Sequence, residues 1–198
     1  MKFLKILDRA QKTMLTLCSV LLIGAVIFAA ATQKEEAPMT NLEFFQSLDY
    51  EDGLSVVTKT FDRFPLQYGT TLGRDGNPQI RPIELKFEQD GVLYFDTVEF
   101  YESYAELQAH PYIQLCICDP ETMTYVRLGG RVNFTKDAAI VNRCFAESLI
   151  LTAQFGDNRD VVIAYYLTEV WVEFNSFTDG LPRRRYTLSN PFDAEVQP

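Results

Sequence analysis

Between Phe64 and Lys136 the chain reverses direction every six to twelve residues, and each stretch between reversals is rich in β-branched and aromatic side chains. Such a pattern leaves an antiparallel sheet as the way to pair the backbone. Tyr68 to Phe87 holds two β-rich runs around Asp75, Gly76, Asn77 and Pro78. A Gly that accepts positive φ, followed by a Pro that fixes φ, predicts a hairpin there. Glu88 to Gly91 turns the chain again into Val92 to Thr97, where Val92, Tyr94 and Asp96 face opposite to Leu93, Phe95 and Thr97. A short helix ending at Leu107 to Pro111 is followed by strands Tyr112 to Cys118 and Thr124 to Phe134. An antiparallel barrel is expected, and Gly129-Gly130 inside the last strand predicts a bulge or a close backbone approach.

Ahead of this region Thr13 to Thr32 carries no charge, with basic residues before it and Glu35-Glu36 after it. Twenty residues suffice to cross ~30 Å of hydrocarbon, and the charge asymmetry predicts the domain outside the cytoplasm. Ala29 to Ala31 also resembles a small-residue cleavage site, so an uncleaved anchor and a signal peptide cut after Ala31 both stand. The division expected is residues 1–32 as anchor or signal, 33–48 as linker and short helix, 49–190 as the barrel domain and 191–198 as a tail.

The formal net charge is −9. Lys2, Lys5, Arg9 and Lys12 against Asp8 make the first 31 residues +3, so the remainder stands at −12. A domain that acidic repels phosphate backbones, which argues against nucleic-acid binding. Cys18 lies in the apolar run, and Cys116, Cys118 and Cys144 form no metal pattern with the single histidine, His110. Cys116 and Cys118 share one strand face and are read as small apolar filling.

Thr40 or Asn41 is placed to cap a helix with Leu42, Phe44 and Phe45 along its apolar face. Asp137 caps a second helix running to about Leu149, after which Gln154 to Asn158 reads as a loop. Val161 to Tyr166 and Thr168 to Phe177 form one or two strands, and Leu181 to Leu188 returns as the last. No nucleophile with an activating base and no phosphate-cradling glycine loop appears, so hydrolase and kinase chemistry have nothing to rest on.

The order DGNPQIRPIELKF, GVLYFDT, helix, LQAHPYIQLCICDP, YVRLGGRV resembles the pyridoxamine 5′-phosphate oxidase-like FMN-binding split barrels, and among them the small nitroimidazole-reductase-like branch. The resemblance implies a mainly β (α+β) fold, a six-stranded antiparallel split β-barrel with flanking helices behind the N-terminal hydrophobic helix. It also places a helix over Leu54 to Phe64, where Val57, Phe61 and Phe64 already have helical spacing. It further implies a homodimer holding FMN at its interface and redox chemistry on a small molecule. Carried over by motif, Arg81 and Lys86 are the cationic pair, Pro82 and Ile83 the backbone contacts, and Thr97 the hydroxyl residue closing the third strand. Tyr125 and Arg131 would line the cofactor from the facing subunit.

The chain departs from the family at one place. Where members present Ser-Arg-Lys to grip the phosphate, Tyr101, Glu102 and Ser103 stand here, with Glu99 close by. A carboxylate within ~4 Å of a phosphate repels it by about 1 kcal/mol even in water, and by more when buried. Arg127 or the Arg183 to Arg185 run would then have to help Arg81 cover the phosphate. A cofactor-free barrel binding another ligand or partner is the second reading, and a haem- or deazaflavin-binding relative the third.

Overall fold

The computed structural model describes residues 38–193, and the compact folded unit begins at Thr40. The uncharged stretch from Thr13 to Thr32 lies outside the described residues. Among those described, no helix is long and apolar enough to cross a membrane.

Two helices open the unit. Helix α1 (Asn41–Gln46) starts in a reciprocal capping box between Thr40 and Glu43, and helix α2 (Gly53–Arg63) starts on the Asp52 carboxylate, which accepts from the Ser55 amide. Phe45 of α1 is fully buried and stacks on Phe64 at 5.8 Å, so α1 packs into the core of the unit.

The strands follow: β1 (Gln67–Leu72), β2 (Pro78–Ile83), β3 (Phe87–Gln89) and β4 (Val92–Val98). Helix α3 (Glu102–Ala109) leads to β5 (Tyr112–Asp119) and β6 (Thr124–Thr135). Helices α4 (Ala138–Ala146) and α5 (Leu149–Phe155) precede the long β7 (Val162–Ser176) and β8 (Arg184–Leu188). The β1–β2 reversal forms as expected, with Gly76 at φ 80° and the Asn77 amide held by the Asp75 carboxylate.

All eight strands belong to one antiparallel sheet, ordered β2-β1-β5-β6-β7-β4-β3 with β8 added on β7. This is the open, split form of a barrel, with eight strands among the described residues where the resemblance implies six. The strands at the two ends of the path, β2 and β3, follow one another in sequence, and Glu84 to Lys86 bridge the split as chain without strand pairing. One fully buried side chain holds that bridge: Gln67 Oε1 accepts from the Leu85 amide at 2.8 Å while its Nε2 donates to the Phe64 carbonyl at 2.7 Å. Every polar atom of the Gln67 amide is thereby satisfied in the core.

Strand β7 serves both halves. Val162–Tyr166 pairs with β4, Val170–Phe174 pairs with β8, and between them Glu169 takes a φ of 53°. Opposite this bend the β6 register shifts between Gly129 and Arg131, which is the bulge the two glycines predict. A Cβ on Gly130 would sit 2.9 Å from the Thr168 carbonyl oxygen, so the bend needs glycine there. The core inside is aromatic and aliphatic, with Phe95 and Tyr165 stacked at 5.4 Å and an interplanar angle of 13°.

Candidate functional site

A cavity of about 470 Å³ opens where the barrel is split. Its polar side comes from β2, the bridging segment and β4: Arg81, Glu84, Lys86, Asp96 and Thr97. Its apolar side comes from Ile83, Leu107, Leu151 and the ring of Tyr165, with Pro65 and Leu66 at the chain ahead of β1. The expected residues Arg81, Pro82, Ile83, Lys86, Thr97 and Ser103 all line this one cavity.

Strand alternation explains the gathering. Gln79, Arg81 and Ile83 point inward on β2 while Pro78, Ile80 and Pro82 are exposed. Pro82 reaches the cavity only because β2 is an edge strand. Thr97 near the end of β4 and Ser103 in the first turn of α3 are both buried, and their hydroxyls meet at 3.0 Å. That bond ties the strand end to the helix start.

The cations are held differently from what the motif suggests. Arg81 Nη1 donates to Glu106 Oε2 and to Thr71 Oγ1, both at 2.6 Å, and Nη2 donates to Glu106 Oε1 at 3.2 Å. Thr71 Oγ1 donates in turn to Glu106 Oε2 at 2.6 Å. The guanidinium hydrogen bonds hold the buried Glu106 carboxyl below its ordinary value, against the opposing effect of burial. Lys86 Nζ lies 2.6 Å from Glu84 Oε2 and 3.6 Å from Asp96 Oδ2. The longer separation is an ion pair without a hydrogen bond, and Asp96 Oδ2 is buried with no hydrogen-bond partner. Burial pushes the Asp96 carboxyl up to about 6, with the Lys86 charge offsetting only part of the effect.

Tyr125 and Arg131 stand elsewhere. Both lie on β6, outside the lining of this cavity; Arg131 is exposed, and the Tyr125 hydroxyl donates to Glu173 at 3.2 Å and accepts from Asn175 at 2.7 Å. Arg127 is bound to Glu173 at 2.7 Å and lies over the Trp171 ring, and Arg185 lies over the same ring. Neither Arg127 nor the Arg183 to Arg185 run lines the cavity. His110 is exposed at the end of α3. Cys118 is exposed and Cys116 half-buried, so neither fills the core; both point out of the sheet on β5.

Helix α5 supplies the wall that the sequence reading left as helix end and loop. Ser148 caps it, accepting from the Leu151 amide, and Ser148, Leu151 and Gln154 line the cavity. The Tyr101 hydroxyl donates to Gln154 Oε1 at 3.3 Å, joining the start of α3 to α5 at the cavity. The readable signal was Ser148 ahead of good helix formers and Gly156 behind them, at φ 57°.

A flat aromatic ring fits the apolar side of this cavity. A dianionic phosphate does not fit the donor set: each cation already faces a carboxylate at 2.6 Å, and Ser103 replaces the expected Lys.

Comparison with known proteins follows the geometry. The family model described as pyridoxamine 5′-phosphate oxidase matches residues 59–163. Among solved structures the fold is similar to a NimC/NimA family protein from Clostridium acetobutylicum, at 16% identity and TM-score 0.60, over 73% of this chain and 94% of that one. It is similar to a second protein from Clostridium acetobutylicum, related to general stress protein 26 of B. subtilis, at 14% identity and TM-score 0.56, over 71% and 96%. A pyridoxamine 5′-phosphate oxidase-related, FMN binding protein from Nostoc punctiforme aligns at 15% identity and TM-score 0.50, over 72% and 98%. No curated protein matches the chain.

Proposed function

The chain belongs to the pyridoxamine 5′-phosphate oxidase family, and from that premise we propose that it is a flavin-binding protein whose ligand sits in the cavity at the barrel's split. The observation that carries the reading is the meeting of Arg81, Ile83, Lys86, Thr97 and Ser103 around one cavity with an aromatic and aliphatic wall. The Nostoc punctiforme relative is described as FMN binding, which supports the ligand class.

When bound, a flavin would supply one- or two-electron transfer, so the chain's part is to bind, orient and exclude water. Ile83, Leu107 and Leu151 supply the dry wall against a ring. Lys86, with its side chain 5% exposed, presents a fixed positive charge from the cavity floor, and Asp96 beside it is able to exchange a proton near neutral pH. Reduction or oxidation of a small molecule is the reaction class this arrangement serves.

Two further features belong to the same proposal. A homodimer is supported by the exposed apolar side chains of β1, β2 and β5, where Tyr68 is 53%, Ile80 69% and Tyr112 42% exposed. A position at a membrane, with the barrel outside the cytoplasm, is supported by the uncharged stretch 13–32 and the charges that flank it.

The test is the absorption spectrum of the full chain purified in detergent, followed by titration with flavin. A yellow protein, or a colourless one that takes up flavin with quenching of its fluorescence, bears the proposal out. A protein that does neither is the cofactor-free barrel, a reading favoured by the ion pairs that neutralise both cavity cations.

A further inference from the structure

Five ionisable side chains line or support the cavity: Arg81 and Lys86 against Glu84, Asp96 and Glu106. With all of them ionised the negative charges outnumber the positive. A phosphate at Arg81 would have to share the guanidinium with Glu106, whose side chain is 5% exposed and which already takes up that charge, so the anion would meet a cation neutralised in advance. Binding one through Lys86 would bring it against Glu84 and Asp96.

The unsatisfied group in the cavity has the opposite demand. Asp96 Oδ2 is buried, lacks a hydrogen-bond partner and belongs to a residue of the lining. It calls for a donor from the ligand, which an ionised phosphate does not have and an alcohol does. Ser103, where the family's phosphate-gripping cation would stand, offers a hydroxyl instead, hydrogen-bonded to that of Thr97.

We propose that the cavity takes its flavin without the phosphate, as a neutral ring-and-polyol ligand of the riboflavin type, and disfavours the phosphorylated form. The inference rests on the flavin reading above and deepens it. The apolar wall would take the ring, and Asp96, Thr97 and Ser103 would take the terminal ribityl hydroxyl, the one that carries the phosphate in FMN, where the carboxylates of Glu84 and Asp96 would repel a dianion.

The experiment is a titration of the purified full chain with riboflavin and, separately, with FMN, read by quenching of flavin fluorescence. Riboflavin is expected to bind about tenfold more tightly than FMN, the discrimination that one uncompensated like charge at close range supplies. In Glu106→Gln, which frees Arg81 of its counter-charge, FMN gains affinity and the preference narrows or inverts. Glu84→Gln frees Lys86 in the same way at a side chain that is 42% exposed, so the comparison survives if the buried variant folds poorly. FMN binding as tightly as riboflavin to the unaltered chain overturns the inference and leaves the flavin reading standing. A preference that neither variant shifts also overturns it. Failure of both flavins to bind overturns the flavin reading and the inference together.

Discussion

Arg81 and Glu106 meet fork to fork beside the cavity, Nη1 to Oε2 at 2.6 Å and Nη2 to Oε1 at 3.2 Å, with Thr71 hydrogen-bonded to both. The pair joins β2 to α3 through a threonine on β1, so one cluster fixes three elements around the split. A guanidinium that the family motif assigns to the ligand is here part of the scaffold.

Removing one partner should therefore cost stability. Arg81→Ala leaves the Glu106 carboxylate buried and unpaired, and since Arg81 is itself partly exposed the loss expected is about 2–3 kcal/mol, near the low end for broken buried pairs. Adding Glu106→Gln to that variant removes the orphaned charge and should recover part of the loss. Urea unfolding of the two single variants and the double variant gives the coupling. Additive losses would show that the two side chains do not stabilise each other.

The carboxyls of Glu106 and Asp96 are shifted in opposite directions. Glu106 is held low, so its contribution to stability is full above the ordinary Glu value and is lost as pH falls through its folded value. Asp96 is raised to about 6, so the folded state binds its proton more tightly than the unfolded chain. Its contribution is favourable at acid pH and is lost as pH rises from the ordinary Asp value through about 6. Asp96→Asn should then stabilise the protein relative to wild type increasingly across that window, with the difference level above it. Thermal unfolding of both proteins across the window measures it; a difference independent of pH would mean that Asp96 is not buried as a carboxylate.

The strands were legible because turn chemistry and alternation are local. Gly76 marks the hairpin, and Gly129-Gly130 marks the bulge opposite Glu169. Arg81, Ile83, Lys86 and Thr97, which only the family resemblance singles out, line one cavity. What the sequence hid was which acid meets which base. Glu99 and Glu102 drew attention by lying where a cation was expected, yet Glu106, one helical turn beyond Glu102, is the residue that reaches Arg81 from 25 positions away. Pairing across such a separation depends on how α3 lies over the sheet, and no local pattern encodes that. Strand β3 and helix α5 escaped for a related reason: at three and seven residues they owe their form to their neighbours more than to their own propensity.

The bend that lets β7 pair with β4 and then with β8 makes a sharp demand on Gly130. A Cβ there would stand 2.9 Å from a backbone oxygen, that of Thr168, and backbone in the middle of a sheet has little room to yield. Gly130→Ala should cost roughly 2–3 kcal/mol, the range for strained or overpacked sites. At Gly129 the nearest atoms a Cβ would meet are those of the Trp171 ring at 2.7 Å, a side chain on the outer face that can turn aside where backbone cannot, so Gly129→Ala should cost less. Chemical denaturation of both variants ranks them, and a cost at 129 equal to that at 130 would place the strain elsewhere.

Helix α5 links stability to binding through Ser148. The hydroxyl accepts from the Leu151 amide and caps a helix of seven residues that carries Leu151 and Gln154 into the cavity lining. A helix so short has little stability of its own, so loss of its cap should be felt by the wall it forms. Ser148→Ala is expected to lower global stability by about 1 kcal/mol and to weaken flavin binding, while Ser148→Asp, which retains a capping oxygen, should restore stability. Hydrogen exchange separates the two effects, because the amides of Leu151 to Phe155 should lose protection in the alanine variant while those of β6 and β7 keep theirs. Unchanged exchange in that segment would show that packing against the barrel, and not the cap, holds this side of the cavity in place.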